Sequence, residues 1–326
     1  MKKALVLGAT GGTGMAIAQE LVKREIPAVL FGRSAEKLDR LKRELGGSER
    51  LELRTGDVFK SEDVAAAAEG TDVVFHAASI PYHEMEDKLL PMGRSVMEGA
   101  ALAGAKVVAV DGIYPYGKRT SAEPIGEDFP KNPHTRKGRT KLAFERLLFD
   151  SRYDGTPKLI VRLPDYYGPS MNRASYLGQT FEDIAAGRPT VFIGSMRIPR
   201  EFVYLPDAAV MIVELALREE AYGGSWHIPS AGPVAGRRLV ELAREAAGGS
   251  KPVLPLGRLP LTMLGRFAPV MKEIVEMLYL TQEPLLLSGA KYEALIGPIP
   301  ATPYETGVRD TILAMKKRTA EKVSRG

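Results

Sequence analysis

The sequence predicts an α/β fold: a doubly wound parallel sheet carrying a smaller, mainly C-terminal domain. Three observations carry that prediction. Apolar, β-branched runs alternate with helix-periodic stretches through the first half of the chain. The runs Val73-Val74-Phe75 and Val107-Val108-Ala109-Val110 are continuously apolar, as strands buried on both faces are. After about residue 168 the alternation stops, prolines and glycines grow denser, and strand-like runs shorten.

Taken in order, the first strand is expected over residues 3–7, with a helix over 15–24. Further strands are expected over 28–31, 51–54, 72–76, 106–110 and 158–162. Helices fall between them over 35–45, 61–69, 86–103 (interrupted at Pro91) and 140–151. Later, 200–205 and 225–228 read as strands and 207–217 as a helix. The proline-rich stretch 251–300 contains an apolar helix over 271–280, read as core packing, a pocket cover or a dimer contact. The expected division is a nucleotide-binding part over 1–168, with 200–228 returning to it, and a substrate-binding part over 169–199 and 229–326.

Composition bounds the function. A chain of 326 residues, 44% hydrophobic and 26% charged, can bury a large core. The formal charge of +5 is a small difference between 45 basic and 40 acidic residues. No basic cluster interleaved with aromatics points to nucleic acid, and Lys316-Lys317-Arg318 reads as a solvated helix end. With no cysteine, thiolate chemistry is excluded, and the four histidines show no metal-ligand spacing. Met1-Lys2-Lys3 precedes an apolar run too short for a signal peptide, and no run reaches the roughly 18 apolar residues of a membrane span. A cytoplasmic, enzyme-sized protein with a small-molecule substrate is expected, with no nucleic-acid or membrane partner.

The chemistry begins at Gly8-Ala9-Thr10-Gly11-Gly12-Thr13-Gly14. A strand that turns through glycines into a helix start lets backbone N–H groups approach a pyrophosphate, whose charge the helix dipole favours. The spacing is G-x-x-G-x-x-G rather than G-x-G-x-x-G. At the end of the second strand, where an acidic residue would bind the ribose hydroxyls of NAD, stands Gly32-Arg33-Ser34. A guanidinium matches a 2′-phosphate, so Arg33 favours NADP over NAD.

This glycine pattern resembles that of the extended short-chain dehydrogenases/reductases, the NAD-dependent epimerase/dehydratase-like family with its Rossmann-like sheet. The resemblance continues in order through Gly56-Asp57-Val58, His76-Ala77-Ala78-Ser79, Tyr116-Gly117, the segment Arg162-Leu163-Pro164-Asp165-Tyr166-Tyr167-Gly168-Pro169, and Arg200-Glu201-Phe202 with Asp207 after it. It covers roughly residues 3 to 230. It implies that Asp57, with Val58, lies at the adenine, and that Ala77 and Ala78 run along the ribose. It also implies that Pro164 borders the cofactor, and that Ser79, Tyr166 and Arg200 face substrate. In sugar-nucleotide members the arginine corresponding to Arg200 meets a phosphate. His76 reads as a hydrogen-bonded core histidine and Asp207 as the cap of the following helix. Homo-oligomers are a habit of the family.

One departure is large. The family usually carries a Ser/Thr, a Tyr and a Lys, the last two as Tyr-x-x-x-Lys. Lys141 matches the lysine, which implies a ribose contact and a catalytic role. The tyrosine slot four residues earlier is Lys137, and the serine slot is Gly112. Spacing by four puts Lys137, Lys141 and Glu145 on one helix face. Two neighbouring ammonium groups would disfavour each other's charge and make Lys137 a general acid; an exposed stripe neutralised by Glu145 is the alternative. Tyr114, partnered by Asp111 on the loop after the fifth strand, is the other candidate acid, unless it packs beneath that loop. The expectation is an NADP-dependent oxidoreductase or epimerase/dehydratase-like enzyme for a small polar carbonyl, alcohol or sugar derivative, with a non-standard active site. A non-catalytic NADP-binding sensor is the alternative.

Overall fold

A computed structural model describes residues 1–120, 122–249, 251–264 and 269–323. The chain begins β1 (Ala4–Leu7), α1 (Gly12–Lys23), β2 (Ala28–Gly32), α2 (Ala35–Glu44), β3 (Leu51–Thr55), α3 (Ser61–Ala68) and β4 (Val73–His76). It continues α4 (Met85–Ala103), β5 (Lys106–Gly112), α5 (Arg136–Leu148), β6 (Lys158–Leu163), β7 (Asp165–Tyr167), α6 (Gly178–Ala185) and β8 (Thr190–Ile193). Next come β9 (Pro199–Arg200), β10 (Phe202–Tyr204), α7 (Leu205–Ala216), β11 (Ser225–His227), β12 (Val234–Ala235), α8 (Gly236–Ala247) and β13 (Val253–Leu256). The last elements are α9 (Arg258–Leu264), α10 (Pro269–Met277), α11 (Tyr279–Gln282), α12 (Ala290–Leu295) and α13 (Tyr304–Val323).

Seven strands form one sheet in the order β11-β6-β5-β4-β1-β2-β3, every neighbouring pair parallel. The winding reverses between β1 and β4, where Leu7 lies opposite His76. Strand periodicity sends alternate side chains to opposite faces. Ala4 and Val6 join the core shared with α1 and α7, while Leu5 and Leu7 join the one shared with α3, α4 and α5. Burial on both faces explains why β1 is apolar throughout and β4 apolar up to His76, while β6 buries Lys158 and Arg162 beside its apolar residues.

Several expected boundaries shift, each for a local reason. α1 starts at Gly12 rather than residue 15 because Gly11 is its N-cap. α5 starts at Arg136 rather than 140 because the Thr135 hydroxyl accepts from the Gly138 N–H at 3.0 Å. Pro91 does not interrupt α4; it lies on the exposed face of the helix, as does Asp87 one turn earlier, so the N–H that proline lacks is missed at the surface rather than in the core. The strand expected over 200–205 divides at Glu201 into β9 and β10. The helix expected over 271–280 ends at Met277, with Tyr279–Gln282 forming a separate turn. Among the described residues no helix is long and apolar enough to cross a membrane.

Candidate active site

The site is built at the carboxyl ends of the parallel strands, where the winding reverses. β1 delivers Gly8 with φ +75°, a left-handed conformation natural to glycine. The Gly11 N–H donates to the Gly8 carbonyl at 2.9 Å, closing the turn. A Cβ on Gly8 would stand 2.6 Å from Ala78 Cα, and one on Gly14 would strike the Gly8 carbonyl. Glycine at these two positions lets α1 start directly above the strand end. No side chain caps α1 and its first turn holds no acid, so its free amides point outward with the positive dipole end. Thr10 is exposed and Thr13 half-buried at the rim. This uncapped, glycine-lined cradle fits a diphosphate.

Past β2, Arg33 is exposed, and Ser34 caps α2 by accepting from the Lys37 N–H at 3.3 Å. Asp57 Oδ1 accepts from the Phe59 N–H at 3.1 Å, and the Asp57 N–H donates to Asp63 Oδ2 at 2.8 Å. Val58, Ala77 and Ala78 are half-buried, Ser79 is exposed and Pro164 is buried.

Deeper in, a chain of buried and half-buried charges joins β5, β6 and α5. Lys141 Nζ lies 2.5 Å from Asp111 Oδ1, and Arg162 Nη1 lies 3.1 Å from Asp111 Oδ2. Arg162 Nη2 donates to Glu145 Oε2 at 2.7 Å, and Lys131 Nζ reaches Glu145 Oε1 at 2.6 Å. The expected exposed stripe of Lys137, Lys141 and Glu145 is therefore absent, because this face of α5 packs inward and each charge takes its own partner. Lys137 is wholly buried, its ammonium held by Glu273 and by Glu276 at 2.9 Å, both on α10.

Tyr114 is half-buried, and its partner is not Asp111, whose carboxylate is committed to Lys141 and Arg162. Its hydroxyl instead meets the Tyr82 hydroxyl at 2.5 Å. Burial pushes the Tyr114 phenol well above its usual range, so it remains a protonated donor near neutrality, with the exposed Tyr82 as its partner. His76 is buried as expected but differs in its bonding: Nδ1 has no hydrogen-bond partner, and the ring meets Phe144 edge-on. Burial, reinforced by the Lys141 charge, lowers its pKa to about 4.

Beside these groups, Arg200 is buried with Nη1 2.8 Å from Asp165 Oδ2. Its guanidinium lies 4.0 Å from the centre of the Tyr176 ring and 4.5 Å from that of Phe202. Tyr166 is half-buried next to it, its phenol raised by burial and by Asp165. Asp207 does not cap α7: the N-cap is Tyr204, and the carboxylate accepts from the Thr302 N–H at 2.7 Å and hydroxyl at 2.8 Å. Among the described residues no cluster could hold a metal ion. Sequence reading missed Tyr82, Asp165, Glu273 and Glu276. The Glu-x-x-Glu spacing on α10 was the only local hint, and nothing near it names Lys137 as the partner.

This sheet and cradle are those of a nucleotide-binding α/β enzyme family. The chain belongs to the NAD-dependent epimerase/dehydratase family, whose sequence model matches residues 4–228. A similar curated protein is sterol demethylase protein B of Methylococcus capsulatus, 25% identical over 264 residues that cover 77% of this chain and 76% of that one. Among solved structures, the UDP-glucuronic acid 4-epimerase of Bacillus cereus in complex with NAD aligns with a TM-score of 0.78 at 18% identity, covering 97% of this chain and 99% of that one. The dTDP-glucose 4,6-dehydratase of Streptomyces venezuelae with NAD bound aligns with a TM-score of 0.80 at 18% identity over 98% of each chain. At such identities these two likenesses show the fold.

Proposed function

We propose that this chain is an NADP-dependent oxidoreductase, or an epimerase/dehydratase-like enzyme, acting on a small carbonyl or alcohol through a non-standard active site. The observation that carries the reading is the cradle: a positive-φ Gly8, a Gly14 with no room for a Cβ, and an uncapped, acid-free helix start. Bound there, a nicotinamide dinucleotide supplies a hydride donor or acceptor. Gly8, Thr10, Gly11, Gly12, Thr13 and Gly14 hold its diphosphate. Arg33 selects NADP over NAD by pairing with the 2′-phosphate. Asp57 and Val58 border the adenine, Ala77, Ala78 and Pro164 line the cleft, and Lys141, steadied by Asp111, holds the ribose.

Tyr114 is the proton donor to the substrate oxygen, with the Tyr82 hydroxyl as its hydrogen-bond partner. Two observations favour it over Lys137: the phenol pair, and the enclosure of the Lys137 ammonium between two carboxylates. Lys137 then joins α5 to α10. Ser79, Tyr166 and Arg200 border the substrate space, and the described residues within 169–199 and 229–323 cover it. The test is a carbonyl screen followed by NADPH oxidation, repeated with Tyr114→Phe. Turnover lost on that substitution supports the reading, and turnover that survives removes Tyr114 from it. Absence of the usual Tyr and Ser also supports a non-catalytic NADP sensor, which predicts tight cofactor binding with no turnover on any carbonyl.

A further inference from the structure

A cleft of about 410 Å³ lies apart from the candidate active site: none of Tyr82, Tyr114, Lys141 and Arg200 lines it. Its walls come from three places in the chain. Lys118 follows β5, His134 and Arg139 flank the start of α5, and Arg258 belongs to α9, beyond β13. The volume is that of an ordinary small-molecule pocket. Its charge is uneven. Four permanent cations line it, Lys118, Arg136, Arg139 and Arg258, against two carboxylates, Glu276 and Glu283. Glu276 is already spent, holding the Lys137 ammonium at 2.9 Å and accepting from the Arg136 N–H. Arg136 is spent too, with Glu86 at 3.1 Å and Glu273 at 3.4 Å. Among the described residues Lys118, Arg139 and Arg258 pair with no carboxylate, and Glu283 is the one lining acid left to oppose them.

The groups are held in place. Arg139 Nη1 donates to the His134 carbonyl at 2.8 Å, which steadies the guanidinium at the cleft. The His134 ring meets the Tyr279 ring edge-on, with centres 4.6 Å apart. Desolvation and the Lys118 and Arg139 charges lower the His134 pKa, against the opposing pull of Glu276 and Glu283. Cations gathered in a concave place with their charge unmatched attract an anion, and a guanidinium fork fits the oxygens of a phosphate or carboxylate.

We propose that this cleft is a second ligand site, taking a small multivalent oxyanion through Lys118, Arg139 and Arg258, with the His134 and Tyr279 rings beside it. The inference goes beyond the oxidoreductase reading and stands without it. Inorganic pyrophosphate is the probe, titrated into the full chain while the His134 imidazole resonance, assigned through His134→Gln, is followed by NMR. Citrate, run in parallel, distinguishes phosphates from carboxylates as the source of the anion. A saturable shift is expected with at least one of them, and His134 is expected to titrate at higher pH when the anion is bound, because a neighbouring negative charge favours the imidazolium. Binding is expected to weaken about tenfold in Arg139→Ala and in the double variant Lys118→Ala, Arg258→Ala. It is expected to persist in Gly8→Ala, which alters the cradle, the other place for a diphosphate. Lys118 and Arg258 are exposed and make no ion pair among the described residues, so the double variant decides the matter should Arg139→Ala fail to fold. No saturable His134 shift with either anion up to millimolar concentration, in folded protein, overturns the inference. Unchanged affinity in the double variant overturns it as well.

Discussion

Lys141 Nζ and Asp111 Oδ1 lie 2.5 Å apart, joining the middle of α5 to the carboxyl end of β5. Arg162, fully buried, holds the other Asp111 oxygen at 3.1 Å. A buried carboxylate shared by two cations fixes where the lysine can point. Removing one member leaves uncompensated charge in a desolvated place, which costs more than the pair contributed. Asp111→Ala is therefore expected to lower unfolding free energy by about 3 kcal/mol and to weaken NADPH binding. Urea denaturation and cofactor titration on the same protein check both effects. A variant as stable as the wild type would mean that the network does not hold the site.

Gly8→Ala tests the cradle. The added methyl has to leave a backbone with φ +75° or displace Ala78, whose Cα stands 2.6 Å away. Strain of this kind costs roughly 1–3 kcal/mol. Loss of NADPH affinity is expected in protein that still melts cooperatively. Unchanged affinity would move the diphosphate elsewhere.

Arg33→Ala separates the two cofactors. Arg33 stands exposed just past the end of β2. Loss of a charge-assisted contact to a 2′-phosphate is expected to weaken NADPH binding about tenfold or more and to leave NADH binding nearly unchanged. An equal effect on both would remove Arg33 from cofactor selection.

Acid sensitivity follows from His76. Its pKa falls from the ordinary 6.5 to about 4 in the folded protein, so the unfolded chain binds the proton more readily. Between those values the unfolded state holds more protons, and stability rises with pH. The contribution is complete above pH 6.5 and is lost as pH falls toward 4, amounting to about 3 kcal/mol. His227, lowered to about 3 by burial and by Arg162, adds a loss of the same sign. Denaturation curves at pH 7.5, 5.5 and 4.5 are expected to show the decline, and His76→Gln to flatten it. An identical slope in that variant would assign the decline to other groups.

Much of the fold was legible because the central strands are buried on both faces and are mainly apolar, as Val73-Val74-Phe75 is. The cradle was legible for a similar reason: glycines at fixed positions leave a local mark. Element ends were less so, since the Thr135 cap starts α5 a turn earlier than its apolar pattern. The ionic partners were not legible. Lys137 and Glu273 are separated by 136 residues, and no local period connects them. Spacing on α5 suggested that Lys137, Lys141 and Glu145 answer one another, and tertiary packing gave each a different partner. Tyr82 escaped notice because its meaning depends on Tyr114 coming within hydrogen-bond distance across the fold.

The most direct measurement is a titration of the purified chain with NADPH and NADH, followed by nicotinamide fluorescence. The account predicts saturable binding of NADPH, weaker binding of NADH, and loss of NADPH binding in Gly8→Ala. No fluorescence change with either nucleotide, in protein shown to be folded, would contradict it.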